Sequence, residues 1–196
     1  MCKSLVWKEE KKEILYTCPI FEIGGRTCRS PDNESRTFTV LDTLDWAIVI
    51  PVLDTEKGRE FVMVRQWRPG SGSLSLEFPG GVFRKNENST QAALRELKEE
   101  TGYTAEKITG LGALNPNPAI MSNTVHFFLA AGLTDTKVRE LDEDEYIQVE
   151  KVPFDEVFEN MGNPPYIHAL MGAALALYLK KTGVSKGNSG NFNTES

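Results

Sequence analysis

Along the middle of the chain, apolar residues fall in short runs interrupted by polar clusters. WAIVIPVL (Trp46 to Leu53) and FVMVRQW (Phe61 to Trp67) are rich in β-branched and aromatic residues and are joined by the turn-forming DTEKGRE. They predict two neighbouring strands. The Gly/Ser loop RPGSGSLS follows, then a short strand LEF (Leu76 to Phe78) that ends at Pro79-Gly80-Gly81, where the turn residues break the pattern. ITGLGAL, NTVHFFLAAGL from Asn123, and YIQVEKV (Tyr146 to Val152) predict further strands. FDEVFENM and Ile167 to Lys181 predict helices; in the second, Leu170, Ala174, Leu175 and Tyr178 recur at helical spacing. Upstream, EILYTCPIFEI (Glu13 to Ile23) and RTFTVLD (Arg36 to Asp42) predict strands, with turns at Gly24-Gly25 and Ser30 to Ser35. A meander this thin buries little by itself, so it is expected to pack on the main body or on a second subunit. The polar TGVSKGNSGNFNTES at the end predicts a disordered tail. No internal repeat is present.

Between Gly81 and Tyr103 the pattern turns helical. Asn88 is placed to cap the helix, with Gln91 three residues on, and Gly102 supplies a left-handed stop. Ala93, Leu94, Leu97 and Thr101 are predicted to face the core. Glu96, Glu99 and Glu100 fall together on an adjacent face. A solvated charged face is the plainer account of such a cluster. Like charges at this spacing repel, however, and Arg95 offsets only part of the repulsion. A hard divalent cation such as Mg2+, which takes oxygen ligands and leaves room for water and phosphate, would offset far more.

Composition narrows the classes. The 196 residues are 40% hydrophobic and 26% charged, enough for one α/β or α+β domain with a real core and a small extra lobe. The net charge of −6 argues against a broad nucleic-acid surface, but it admits a small anionic ligand if a metal ion mediates. The apolar runs are too short to cross a bilayer. The N-terminus MCKSLVWKEEKKE turns charged at once and has no signal-peptide core, so a cytoplasmic chain without membrane contact is expected. Cys2, Cys18 and Cys28, odd in number and without metal-ligand spacing, predict reduced thiols. His126, in an apolar strand, reads as a core histidine, and His168 carries no signal.

The glutamates belong to a longer string: Gly81, five residues, Glu87, seven residues, then Arg95-Glu96-Leu97-x-Glu99-Glu100-x-Gly102-Tyr103. It resembles the signature of the Nudix hydrolases, G-x5-E-x7-R-E-U-x-E-E-x-G-U, where U is a bulky aliphatic residue. The one departure is Tyr103 at the last U. The resemblance implies an α/β (α+β) fold, the Nudix α/β/α sandwich with a mixed central sheet, plus a small N-terminal antiparallel β lobe. It implies hydrolysis of a nucleoside diphosphate derivative with Mg2+, or alternatively Mn2+. Glu96, Glu99 and Glu100 match its metal-binding carboxylates, and the Gly80 carbonyl matches a further ligand. Glu87 and Arg95 match an ion pair that steers the helix.

The flanks resemble the ADP-ribose pyrophosphatase branch. VRQWRPG places Arg68, with Arg65 as helper, at the substrate phosphates, where a guanidinium fork suits phosphate oxygens. LEFPGG is similar to the branch's L-E-x-P-A-G, with Gly80 standing for Ala. In NPNPAIMSN, Pro118 matches a proline of the branch, although Ala119 replaces the expected glycine and leaves other nucleotide sugars open. LDEDEYIQVEKVP is similar to the segment that brings a late glutamate into the site, so Glu143 and Glu145 are the alternatives for general base and added metal ligand. Trp46, at a strand start, is either packed or stacked on the adenine. The branch also implies a homodimer formed through the N-terminal lobe. The expected organisation is therefore a lobe over residues 1–43, a hydrolase domain over 44–181 and a tail over 182–196. The rival functions are hydrolysis of a dinucleoside polyphosphate, coenzyme A or an oxidised nucleotide, and a non-catalytic nucleotide-sugar sensor.

Overall fold

A computed structural model describes residues 4–56, 58–141 and 146–183. The chain divides into two compact units: Met1–Asp45 with Leu114–Val125, and Trp46–Ala113 with His126–Ser196.

In the first unit, β1 (Lys8–Thr17), β2 (Glu22–Arg29) and β3 (Ser35–Asp42) form a three-stranded antiparallel sheet in that order. The stretch expected as one strand from Glu13 to Ile23 is two, because the chain turns at Cys18, whose N–H donates to the Phe21 carbonyl at 3.0 Å. Gly24-Gly25, expected as a turn, lies within the central strand β2. Its neighbours crowd both faces: a Cβ on Gly24 would meet Asp42 Oδ2 at 3.2 Å, and one on Gly25 would meet Glu13 Cγ at 3.3 Å. Segment 114–125 is tied to this sheet. Leu41 N–H donates to the Ile120 carbonyl at 2.7 Å, Ser122 N–H to the Leu41 carbonyl at 3.1 Å, and Thr124 N–H to Asp45 Oδ1 at 2.8 Å.

The second unit is built on a mixed seven-stranded sheet. Its strands are β4 (Trp46–Thr55), β5 (Gly58–Arg68), β6 (Ser73–Glu77), β7 (Gly80–Val82), β8 (Tyr103–Leu114), β9 (Val125–Asp135) and β10 (Gln148–Pro153). The order is β10-β5-β4-β9-β8, with β6 beside β5 and β7 beside β4. The helices are α1 (Ser89–Thr101), α2 (Phe154–Asn160) and α3 (Ala169–Thr182). Pleating sends alternate residues to opposite faces. Ala47, Val49 and Val62 therefore join Ala92, Ala93 and Leu97 of α1 in one core cluster. Phe61, next to Val62, points the other way and meets Phe154 of α2 and Tyr178 of α3, with ring centroids 5.8 and 5.3 Å away. Helices thus cover both faces, as the α/β/α expectation requires. Among the described residues no helix is long and apolar enough to cross a membrane.

Candidate active site

Helix α1 carries the acidic cluster, and its ends are fixed as the sequence predicts. The Gln91 N–H donates to Asn88 Oδ1 and the Asn88 N–H donates to Gln91 Oε1, both at 2.9 Å, a reciprocal capping box. Gly102 stops the helix at φ 75°, its N–H reaching the Lys98 carbonyl at 2.8 Å. The buried face differs from expectation. Leu94 is 37% exposed, while Glu96 and Glu100 are only 8% and 3% exposed. At about 100° per residue, Leu94 stands too far round from Ala93, whereas positions 96 and 100 flank it on the other side. These carboxylates are therefore not a solvated face.

Arg95 organises them. Its Nε and Nη2 donate to the two oxygens of Glu87 at 2.8 and 2.9 Å. Its Nη1 donates to Glu96 at 2.7 Å and Glu99 at 2.9 Å, and Nη2 also reaches the Val82 carbonyl. Hydrogen bonding to Glu87 dominates the electrostatics. It holds the Glu87 carboxyl below its ordinary value and raises the Arg95 guanidinium well above its own, against the cost of partial burial. Glu99 takes a second cation: Arg84 Nη1 and Nη2 donate to its two oxygens at 2.9 and 3.1 Å. Glu100 accepts from the Gly80 N–H at 2.9 Å.

That last bond depends on β7, a strand the sequence does not announce. It pairs Gly80 with Ile48, Gly81 with Ala47 and Val82 with Trp46. A Cβ on Gly81 would fall onto the Glu96 carboxylate, and one on Gly80 onto the Ala47 carbonyl. Two glycines are thus what lets the backbone approach both β4 and the glutamates. The Gly80 departure from the branch pattern is accordingly more than a change of size.

A cavity of ≈ 350 Å3 is lined by Gln66, Arg68, Gly80 to Arg84, Arg95, Glu96, Glu99 and Glu100. The structure thus brings together Gly80, Glu96, Glu99, Glu100, Arg95 and Arg68. Its donor set, three carboxylates beside a glycine loop, fits a hard divalent cation in kind. Among the described residues, no three acidic, histidine or cysteine side chains already converge as ligands. The reason is visible: Glu99 is turned to Arg84 and Arg95, and Glu100 to the Gly80 N–H.

Arg68 enters from β5, on the same pleat side as Gln66. Its Nε and Nη2 donate to the two oxygens of Glu77 at 3.0 and 2.7 Å. Burial opposes charge on Glu77, yet the Arg68 bonds and charge hold its carboxyl below the ordinary value. His168 caps α3, Nδ1 accepting from the Leu170 N–H at 3.2 Å. Burial pushes its pKa down, with Glu77 opposing and Arg68 adding to the shift. Glu77 and His168 are residues whose roles sequence reasoning missed. Only the place of Glu77 just ahead of the glycine loop hinted at one.

The other expected residues lie elsewhere. Arg65 points to the opposite side of β5 and pairs with Glu150, Nε and Nη2 donating at 2.5 and 2.9 Å. Trp46 is half-buried opposite Val82 and is not among the described residues lining the cavity. His126 is half-buried rather than in the core, its ring 5.3 Å from Phe83 of the cavity wall. Pro118 belongs to the first unit. Glu143 and Glu145 lie outside the described residues, as do residues 184–196 of the expected tail.

A family model described as the NUDIX domain matches residues 43–171. The chain belongs to the Nudix family. It is 32% identical over 158 residues to an ADP-ribose pyrophosphatase of Bacillus subtilis (strain 168), covering 80% of this chain and 84% of that one. It is also 32% identical over 160 residues to a methanol dehydrogenase activator of Bacillus methanolicus, covering 81% and 85%. A crystal structure titled as an ADP compounds hydrolase superposes with a TM-score of 0.79 at 24% identity, covering 93% of this chain and 99% of that one. That last likeness carries the Nudix fold. Nudix hydrolases generally use divalent metal ions, in keeping with the oxygen donors gathered on α1.

Proposed function

We propose that this Nudix chain is a Mg2+-dependent pyrophosphohydrolase that cleaves ADP-ribose, or a closely related nucleoside diphosphate sugar, to a nucleoside monophosphate and a sugar phosphate. One observation carries it: Glu96, Glu99 and Glu100 share a single cavity with Arg68. Charge supports it. Three arginines, Arg68, Arg84 and Arg95, face five glutamates: Glu96, Glu99 and Glu100 in the cavity wall, and Glu77 and Glu87 bonded to Arg68 and Arg95, a formal excess of two negative charges. A diphosphate adds at least two more negative charges, so it is admitted only with added positive charge, which divalent cations supply. The bound metal would neutralise charge developing on the phosphoryl oxygens.

The chain's own residues do the rest. Glu96, Glu99 and Glu100, with the Gly80 carbonyl, hold the cation, and Glu99 is the carboxylate on which activity depends most. Glu87 and Arg95 keep α1 and its carboxylates in place. Arg68, aimed by Glu77, binds phosphate oxygens, and the proposed phosphate contact narrows to it because Arg68 lines the cavity whereas Arg65 points to the other side of β5. Glu143 or Glu145 takes the proton of the attacking water. The name of the Bacillus subtilis relative supports the choice of ADP-ribose. We further propose a cytoplasmic homodimer, residues 1–43 acting as the dimerisation lobe of a hydrolase domain over 44–181. Ile14, Leu15, Tyr16 and Ile20 are exposed in that lobe, as a surface awaiting a partner would be.

The likeness to an activator favours a second reading, in which the domain binds a nucleotide sugar for a regulatory output. A substrate panel separates the two. Incubation with Mg2+ and ADP-ribose, other nucleotide sugars, a dinucleoside polyphosphate, coenzyme A or an oxidised nucleotide should give fastest turnover with ADP-ribose or a near relative. Tight binding without turnover anywhere in the panel would establish the second reading instead.

A further inference from the structure

Two cations hold Glu99, and they are held very differently themselves. Arg95 has a side chain only 15% exposed and is interlocked with Glu87, Glu96, Glu99 and the Val82 carbonyl. Arg84 has a side chain 54% exposed, and its guanidinium goes to Glu99. Its backbone, by contrast, is pinned. The Arg84 N–H donates to Glu87 Oε2 at 2.9 Å, the Glu87 N–H donates to the Arg84 carbonyl at 3.1 Å, and Glu87 is gripped by Arg95. Arg84 therefore has a fixed root and a half-exposed head on a carboxylate of the proposed metal site.

We infer that Arg84 is an internal competitor for that site: its guanidinium occupies Glu99 until a divalent cation displaces it, and so sets how tightly the metal is taken up. The inference rests on the metal-site reading above. Glu99 Oε1 accepts from Arg84 and Oε2 from both Arg84 and Arg95, so a cation coordinating either oxygen meets the positive Arg84 guanidinium beside it and competes with it for the carboxylate charge. With the Arg84 side of the pair open to water, the bond is cheap to break, which makes the exchange easy and its effect modest. Arg95 cannot be exchanged in the same way, because releasing it would also free Glu87, Glu96 and the Val82 carbonyl.

The test is a titration of the full chain with Mn2+ alone at fixed ionic strength, free Mn2+ being read by electron paramagnetic resonance. Arg84→Gln is expected to bind Mn2+ about two- to fivefold more tightly than the wild type. Arg84→Lys, which keeps one charge without the fork, should fall between them. Lys85→Gln, which removes a charge from the same loop, should match the wild type. Equal or weaker binding by Arg84→Gln would overturn the inference, and so would equal tightening by Lys85→Gln. If wild type and all variants leave Mn2+ free, the metal-site reading itself fails, an outcome distinct from the other two.

Discussion

Glu77 is 2% exposed, and Arg68, gripping both its oxygens, holds its carboxyl below the ordinary value against the cost of burial. On the proposed reading, function at this scale depends also on residues that do not line the cavity. Glu77→Gln keeps the shape and loses the charge that aims Arg68. The expected result in steady-state kinetics is a KM for the nucleotide sugar raised about tenfold with a smaller change in kcat. His168 gives a pH test. Its pKa is below the ordinary 6.5 in the folded chain, mainly through burial. Just below 6.5 the unfolded chain binds a proton that the folded chain does not, so His168 makes stability fall as pH drops from neutral through 6.5. His168→Asn removes the titration yet keeps an acceptor for the Leu170 N–H. Its denaturation midpoint should be flatter than the wild type's across that interval. Neither role was legible in sequence. The box residues announce themselves by fixed spacing, whereas Glu77, Arg68 and His168 meet only when β5, β6 and the start of α3 are assembled.

The elements were legible where local chemistry decides them. Asn88, Gln91 and Gly102 marked both ends of α1, and the structure places every one of those caps. Asn88→Ala should lower stability by about 1 kcal/mol in guanidinium unfolding, leaving the slope of the transition unchanged. Strand β7 was not legible, since Gly80 and Gly81 carry no strand propensity and pair only because β5 bonds β4 from Val52 to Thr55 and leaves the Trp46–Ile48 end to another partner. The misplaced turn at Gly24-Gly25 has the same cause: glycine signals a turn in sequence, but here it answers close packing within β2. Gly81→Ala tests the closeness of β7 to α1. The added methyl would displace the Glu96 carboxylate, so hydrolysis should fall at least about tenfold while circular dichroism stays that of the wild type.

For the whole molecule, the order of strands and helices from Trp46 to Tyr178, β7 apart, followed from hydrophobic pattern and turn residues. The association of Leu114–Val125 with the N-terminal sheet did not, because it rests on backbone bonds to Leu41 and Asp45's side chain across a long sequence gap. The proposed dimer belongs to this scale as well. Sedimentation at micromolar concentration should give twice the 21.9 kDa of one chain. A single-chain mass would leave the exposed Ile14, Leu15, Tyr16 and Ile20 without the partner proposed for them.

The most direct test of the central claim is AMP formation from ADP-ribose, followed by chromatography with and without Mg2+, for the wild type and Glu99→Gln. The account predicts AMP from the wild type only when Mg2+ is present, and a rate for Glu99→Gln at least about a hundredfold lower. AMP formed at the wild-type rate by Glu99→Gln, or without any divalent cation, would contradict it.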